Sequence, residues 1–112
     1  MNAQTPREIT EKKVTNLLSM AARARRIASG AFAVEEAVKN GQARFLLLAE
    51  DVEPSTKEKY EQLSNQYNIP AAAFLTKDTL GACLGKGVRA AAALLDEGFA
   101  KRLQALLGDA DR

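Results

Sequence analysis

The run Phe45-Leu46-Leu47-Leu48-Ala49 constrains the fold of this chain more than any other segment. Five consecutive apolar residues, with no polar alternation, are typical of a β-strand that is buried on both faces. Such a strand lies at the centre of a sheet that helices cover on both sides. The chain has 112 residues, which is enough to bury a core of this kind within one domain. We therefore predict a single domain over residues 1–112.

Helix and strand signals alternate along the rest of the chain. Helices are predicted to begin at five capping signals, namely Thr5-Pro6, Gly30, Pro54, Thr76 and Asp96. Strands are predicted around Ile27-Ala28 and at residues 45–49, 71–74 and 88–95. Because strands and helices alternate, the sequence predicts a three-layer α/β/α sandwich with a mainly parallel or mixed four-stranded central sheet.

The composition argues against several classes of enzyme and metal site. The sequence contains no His and a single Cys, Cys83, which excludes an internal disulfide and a Cys/His zinc site. Cys83 lies on an apolar helix face with no His to activate its thiol, so we interpret it as buried filler. Residues 81–87 resemble a phosphate-binding loop, but the spacing of the glycines and the Gly after Lys86 differ from that motif. We predict no catalytic residue, no metal and no cofactor.

The hydropathy of the sequence indicates where the protein is located. No apolar run approaches the roughly 18 residues of a membrane span, and no apolar signal segment is present, so we predict a cytoplasmic protein without a membrane partner.

Residues 1–49 contain 8 Lys/Arg against 4 Asp/Glu, whereas residues 50–80 contain 3 against 6. A polarised domain of this kind can present a basic face to a polyanion, although such an uneven distribution also arises by chance.

Several motifs together resemble one known family. In chain order they are Leu17-Leu18, residues 25–30, residues 30–54, Asn68-Ile69-Pro70, Leu80-Gly81, Gly85-Lys86 and residues 96–103. Their combination resembles the kink-turn RNA-binding ribosomal protein superfamily, whose members include the large-subunit proteins seven-Ae and thirty-e. The first two motifs and the last are most similar to its bacterial YlxQ branch. The fold that this resemblance implies is an α/β/α sandwich, in agreement with the pattern of strands and helices.

The resemblance implies that an RNA-reading helix begins at Gly30. In the family this helix carries Gly, any residue, Asn, Glu, two further residues and Lys, and the three polar side chains meet sheared G·A pairs and the neighbouring backbone. Here Gly30 is retained, whereas Phe32, Ala33 and Glu36 occupy the Asn, Glu and Lys positions. Two of the polar side chains that contact the RNA in the family are thus replaced by apolar ones, and at the third position the charge is reversed. Phe32 either stacks on an unpaired base or fills the core, and we favour the core.

Basic residues outside this helix are predicted to supply the remaining RNA surface, since Arg suits bidentate contact with phosphate. Arg25 and Arg26 are expected to form one surface with Gly30 and the loop that contains Lys86. The full predicted set of RNA-binding residues is Arg25, Arg26, Ser29, Gly30, Phe32, Ala33, Glu36, Lys39, Glu50, Asp51, Lys86, Val88 and Arg89. Ordinary solubility is the alternative explanation for these charges.

Together these observations predict a non-enzymatic, monomeric RNA-binding protein of ribosomal type. Its predicted partners are structured RNAs, whether ribosomal, messenger or small, and the ribosome itself. The alternative is a protein-interaction module that has the same fold but has lost RNA recognition. In that case Phe32 and Ala33 would belong to an exposed apolar docking patch.

Overall fold

The computed structural model describes residues 4–110, in which helices and strands alternate as predicted. The helices are α1 (Pro6–Arg23), α2 (Ala31–Lys39), α3 (Pro54–Tyr67), α4 (Lys77–Cys83) and α5 (Glu97–Ala110). The strands are β1 (Ile27–Ser29), β2 (Phe45–Leu48), β3 (Ala71–Ala73) and β4 (Ala91–Leu94). The strand predicted over residues 88–95 is shorter than expected, because its first residues belong to a loop.

Three of the predicted helix starts carry the expected side-chain caps. Thr5 Oγ1 accepts a hydrogen bond from the Glu8 N–H at 3.1 Å, and Thr76 Oγ1 accepts one from the Thr79 N–H at 3.2 Å. Asp96 Oδ1 accepts one from the Phe99 N–H at 3.0 Å. Each contact spans three residues and satisfies a first-turn donor, so local sequence is sufficient to predict it.

The four strands form one mixed sheet in the order β1-β4-β2-β3. Strands β2 and β3 are parallel, whereas β4 runs antiparallel to both β1 and β2. The mixed sheet is therefore confirmed, and the mainly parallel alternative is wrong. The reason lies in the connection from β3 to β4, where the seven-residue α4 and the following loop return the chain at the end of the sheet where β3 stops.

Helices cover both faces of the sheet, as the apolar run at residues 45–49 predicts. Every residue of β2 is buried, and alternate side chains enter two different clusters. Phe45 and Leu47 pack with residues of α1, α4 and α5, whereas Leu46 and Leu48 pack with residues of α2 and α3. The three-layer α/β/α sandwich is confirmed. Within residues 4–110, no helix is both long and apolar enough to cross a membrane.

Cys83 closes α4 and is half-buried, and its Sγ lies 3.2 Å from the Leu80 carbonyl oxygen as a hydrogen-bond donor. Burial raises the pKa of the Cys83 thiol from 9.0 to about 11. A thiol whose pKa is raised that far carries little thiolate at neutral pH. The position therefore fits the interpretation of Cys83 as part of the packing rather than as a nucleophile.

We expect this raised pKa to lower the free energy of unfolding between about pH 9 and 11. Below pH 9 the thiol is protonated in both states, whereas above it the unfolded chain releases the proton that the folded state retains. Urea unfolding at pH 7, 9 and 10.5 would measure the effect, with Cys83→Ser as the matched variant because it cancels all other titrating groups. Equal pH dependence of the two proteins would contradict the expectation.

Candidate nucleic-acid interface

The register of the sheet brings most of the predicted site residues to one end of the sandwich. Ser29 pairs with Ala92, and Leu48 pairs with both Ala91 and Ala73. The last residues of β1, β2 and β3 and the first residues of β4 are therefore neighbours. We call this the Gly30 end; it holds the start of α2, residues 49–53, residues 74–76 and the loop at residues 84–90.

Gly30 has a backbone conformation that the start of α2 requires. Its φ of 89° and ψ of 153° lie in a region that is essentially restricted to glycine. No side chain caps the first turn of α2, so its backbone N–H groups are left without that partner. The preceding Ser29 Oγ accepts a hydrogen bond of 3.4 Å from Arg89 Nε. That contact joins the start of α2 to the loop before β4.

Backbone contacts hold this loop against α4. The Lys86 N–H donates to the Gly81 carbonyl at 2.9 Å, and the Arg89 N–H donates to the Lys77 carbonyl at 3.2 Å. A Cβ atom built on Gly81 would lie 1.7 Å from the Gly87 carbonyl oxygen, so only glycine permits this approach. Lys86 is exposed on this loop, and the contacts with α4 hold the loop backbone in place.

The outer face of α2 is exposed, and the prediction that Phe32 fills the core is wrong. Phe32 is 79% exposed, whereas Val34, Ala37 and Val38 are buried. At about 100° per residue, Phe32 lies roughly 160° around the helix from Val34. It therefore faces away from the sheet, on the same side as Glu36 four residues later. The spacing of the three buried residues was a sequence signal that could have revealed this orientation.

A second apolar side chain borders the same region. Val88 is 57% exposed and directly precedes Arg89, whose Nη1 donates to the Val88 carbonyl at 3.0 Å. Ala33 is also exposed on the first turn of α2. The Gly30 end thus combines one exposed aromatic ring and smaller exposed apolar side chains with the charges of Lys86 and Arg89. Aromatic rings and basic side chains occur together in proteins that bind unpaired nucleotides.

Arg25 and Arg26 lie at the opposite end of the sheet, so the single surface predicted for them with Gly30 and Lys86 is wrong. Both precede β1, and the Arg26 carbonyl accepts a hydrogen bond from the Leu95 N–H at 2.8 Å. The three residues of β1 separate them from Gly30 by about 10 Å of strand. Lys39 is also remote, because it lies in the last turn of α2.

Glu50 and Asp51 lie at the Gly30 end, but their carboxylates already have partners within the protein. Glu50 pairs with Arg7, whose guanidinium also lies 4.5 Å from the centroid of the Phe74 ring. Asp51 Oδ1 accepts a hydrogen bond of 2.8 Å from the Lys77 N–H at the start of α4. Arg7 adds a further cation to this end, which sequence reasoning missed because its partner is 43 residues away.

A mixed α/β/α sandwich with a glycine-initiated helix beside a basic loop is the architecture that the resemblance to ribosomal-type proteins implies. Residues 12–104 match the family described as Ribosomal protein L7Ae/L30e/S12e/Gadd45. The chain belongs to that family. The membership confirms the resemblance identified from the sequence motifs.

Individual relatives agree with this assignment. Over 91 residues, the chain is 36% identical to the RNA-binding protein YlxQ of Bacillus subtilis (strain 168), an alignment that covers 81% of this chain and 91% of the relative. A solved structure described as a protein with unknown function from Bacillus halodurans C has a TM-score of 0.81 at 35% identity, covering 86% and 97% of the two chains. The Giardia lamblia 15.5kD RNA binding protein has a TM-score of 0.74 at 17% identity, covering 97% and 91%, and supports the fold alone.

Proposed function

We propose that this chain is a non-enzymatic RNA-binding protein that binds structured RNA with its Gly30 end. The observation that carries the proposal is the exposure of Phe32 and Val88 at the same end of the sandwich as Lys86 and Arg89. Apolar side chains can contact bases, and cations at the same end of the protein can contact phosphates. This combination suits RNA better than a small molecule. Family membership and the name of the relative from Bacillus subtilis support the same choice.

The proposed role of each side chain at the Gly30 end follows from its chemistry. Lys86 and Arg89 contact phosphates, and the uncapped first turn of α2 directs its N–H groups toward the same ligand. Glu36 opposes phosphate at the position where the resemblance implies Lys. We therefore propose that the RNA contains a kinked or interrupted helix but is not read through sheared G·A pairs. The protein acts as a single-domain monomer in the cytoplasm, on RNA of the translation machinery.

Salt-dependent binding of the Lys86→Ala and Arg89→Ala variants tests this proposal. We expect each substitution to weaken binding to structured RNAs of different sequence, and to lower the slope of log affinity against log salt by about one. The measurement is a filter-binding titration at several KCl concentrations. The free energy of unfolding of Lys86→Ala should change by less than about 0.5 kcal/mol, since its side chain is exposed.

The control variants are Arg26→Ala and the pair Lys101→Ala and Arg102→Ala, because these residues lie outside the Gly30 end. We expect them to leave the affinity and the salt slope nearly unchanged. An equal loss of affinity in all variants would show that charge attracts the RNA non-specifically and would contradict the proposed site. Tight binding of a protein partner that salt does not weaken, with no RNA binding, would instead support the protein-interaction module.

A further inference from the structure

Phe32 differs from every other phenylalanine of this chain in its surroundings. Phe45 and Phe74 are each 3% exposed, and Phe99 is half-buried against the core. Phe32 is 79% exposed on the first turn of α2, where it contributes to neither hydrophobic cluster. An aromatic ring left in water gains nothing for folding, but it offers a flat apolar surface to a ligand.

The groups around Phe32 restrict the chemistry of that ligand. Arg89, oriented by Ser29 Oγ and the Val88 carbonyl, places a cation at the start of α2. Glu36 lies one turn beyond Phe32 on the same exposed face, and its Oε2 is 3.5 Å from Asn40 Nδ2. The exposed face of α2 thus carries the ring and a carboxylate, which only accepts hydrogen bonds. The cation of Arg89 lies near the start of the same helix, since a Cβ atom built on Gly30 would be 4.0 Å from Arg89 Nε.

We propose that Phe32 stacks on an unpaired base of the bound RNA, and that Glu36 makes guanine the preferred base. Within a continuous duplex the faces of each base are covered by its neighbours, so the ring can stack only on a nucleotide in a bulge or loop. Guanine presents two adjacent N–H donors, N1–H and N2–H, to which one carboxylate can bind in bidentate fashion. Uracil, cytosine and adenine do not present that pair. This inference rests on the proposed RNA-binding function.

The test uses the full chain and RNA hairpins that carry a single-nucleotide bulge of G, A, U or C, together with a fully paired hairpin. We expect the G bulge to bind most tightly. Phe32→Ala should weaken binding to the bulged RNAs about tenfold, in the range that loss of one stacked base produces. Phe32→Tyr should bind these RNAs with an affinity within about twofold of the unchanged protein, since Tyr retains the stacking face. Glu36→Gln should reduce the preference for G over A.

A fluorescent reporter separates stacking from a structural effect. With 2-aminopurine in the bulge, binding of the unchanged protein or of Phe32→Tyr should change the fluorescence of that base, whereas binding of Phe32→Ala should not. Tyr67→Ala is the matched control, because Tyr67 is a 37% exposed aromatic residue at the last turn of α3, away from the Gly30 end. It should alter neither the affinity nor the fluorescence change.

The possible failures are distinguishable. If the unchanged protein binds the bulged RNAs but Phe32→Ala binds them equally well, the stacking inference is overturned and the proposed function stands. If the fluorescence changes as expected but all four bulges bind with equal affinity, the role of Glu36 is overturned. If the unchanged protein binds none of the RNAs at any salt concentration, the proposed function itself fails, and the inference fails with it.

Discussion

Gly81→Ala is expected to destabilise the protein by about 3 kcal/mol and to weaken RNA binding at the same time. The added Cβ would lie 1.7 Å from the Gly87 carbonyl oxygen and 2.7 Å from the Gly87 carbonyl carbon. These are backbone atoms, so the clash can be relieved only if the loop before β4 moves away from α4. Lys86, Val88 and Arg89 would move with it. Urea unfolding measures the stability, and filter binding measures the affinity.

Gly108→Ala is the matched control for this substitution. Gly108 lies inside α5, and a Cβ atom built there meets no atom within 4 Å. Because Ala favours helix more than Gly does, this variant should be unchanged or more stable by up to about 1 kcal/mol, with RNA binding intact. A Gly81→Ala variant as stable as the parent would mean that the loop is not held against α4.

Replacing Phe32, Ala33 and Glu36 together by Asn, Glu and Lys should redirect the protein from one class of RNA to another. These are the residues that the resemblance implies for the reading of sheared G·A pairs. We expect at least a tenfold gain in affinity for a standard kink-turn duplex, which corresponds to about 1.4 kcal/mol. The bulged-guanine hairpin should lose about tenfold because its stacking partner is removed. All three side chains are exposed, so the fold should be preserved.

Competition between the two RNAs in one filter-binding experiment would measure this exchange directly. The triple variant changes the net charge by +1, so Glu61→Gln on α3, which makes the same change elsewhere, serves as the charge control. Circular dichroism would verify that the triple variant is folded. A folded triple variant that gains no affinity for the kink-turn duplex would show that this face of α2 does not contact RNA.

Local sequence was sufficient for much of the fold. The caps at Thr5, Thr76 and Asp96 act over three residues, and the apolar run at residues 45–49 required two covering layers of helix. The helical spacing of Val34, Ala37 and Val38 also encodes the exposed orientation of Phe32, in contrast to the core position predicted for it. The physical basis is short range, because hydrogen bonds and side-chain periodicity within one element depend on its own residues.

The candidate site was predicted less well, because its composition depends on which strand ends are neighbours. Ser29, Gly30, Lys86 and Arg89 are brought together because β4 inserts antiparallel beside β1. The same register places Arg25 and Arg26 at the opposite end of the sheet. Proximity in sequence suggested a shared surface, but a strand of three residues between them was enough to separate the two groups.

The helices and strands, the buried central strand, its two covering layers and the family resemblance can thus be predicted from the order of residues alone. The strand order, the pairing of Glu50 with Arg7 and the set of residues at the Gly30 end become visible in the folded chain. Strand order reflects the packing of all layers at once, and a contact such as Glu50 with Arg7 joins residues whose separation along the chain carries no local signal. The free energy that selects these arrangements is shared among many distant residues, so no single segment encodes it.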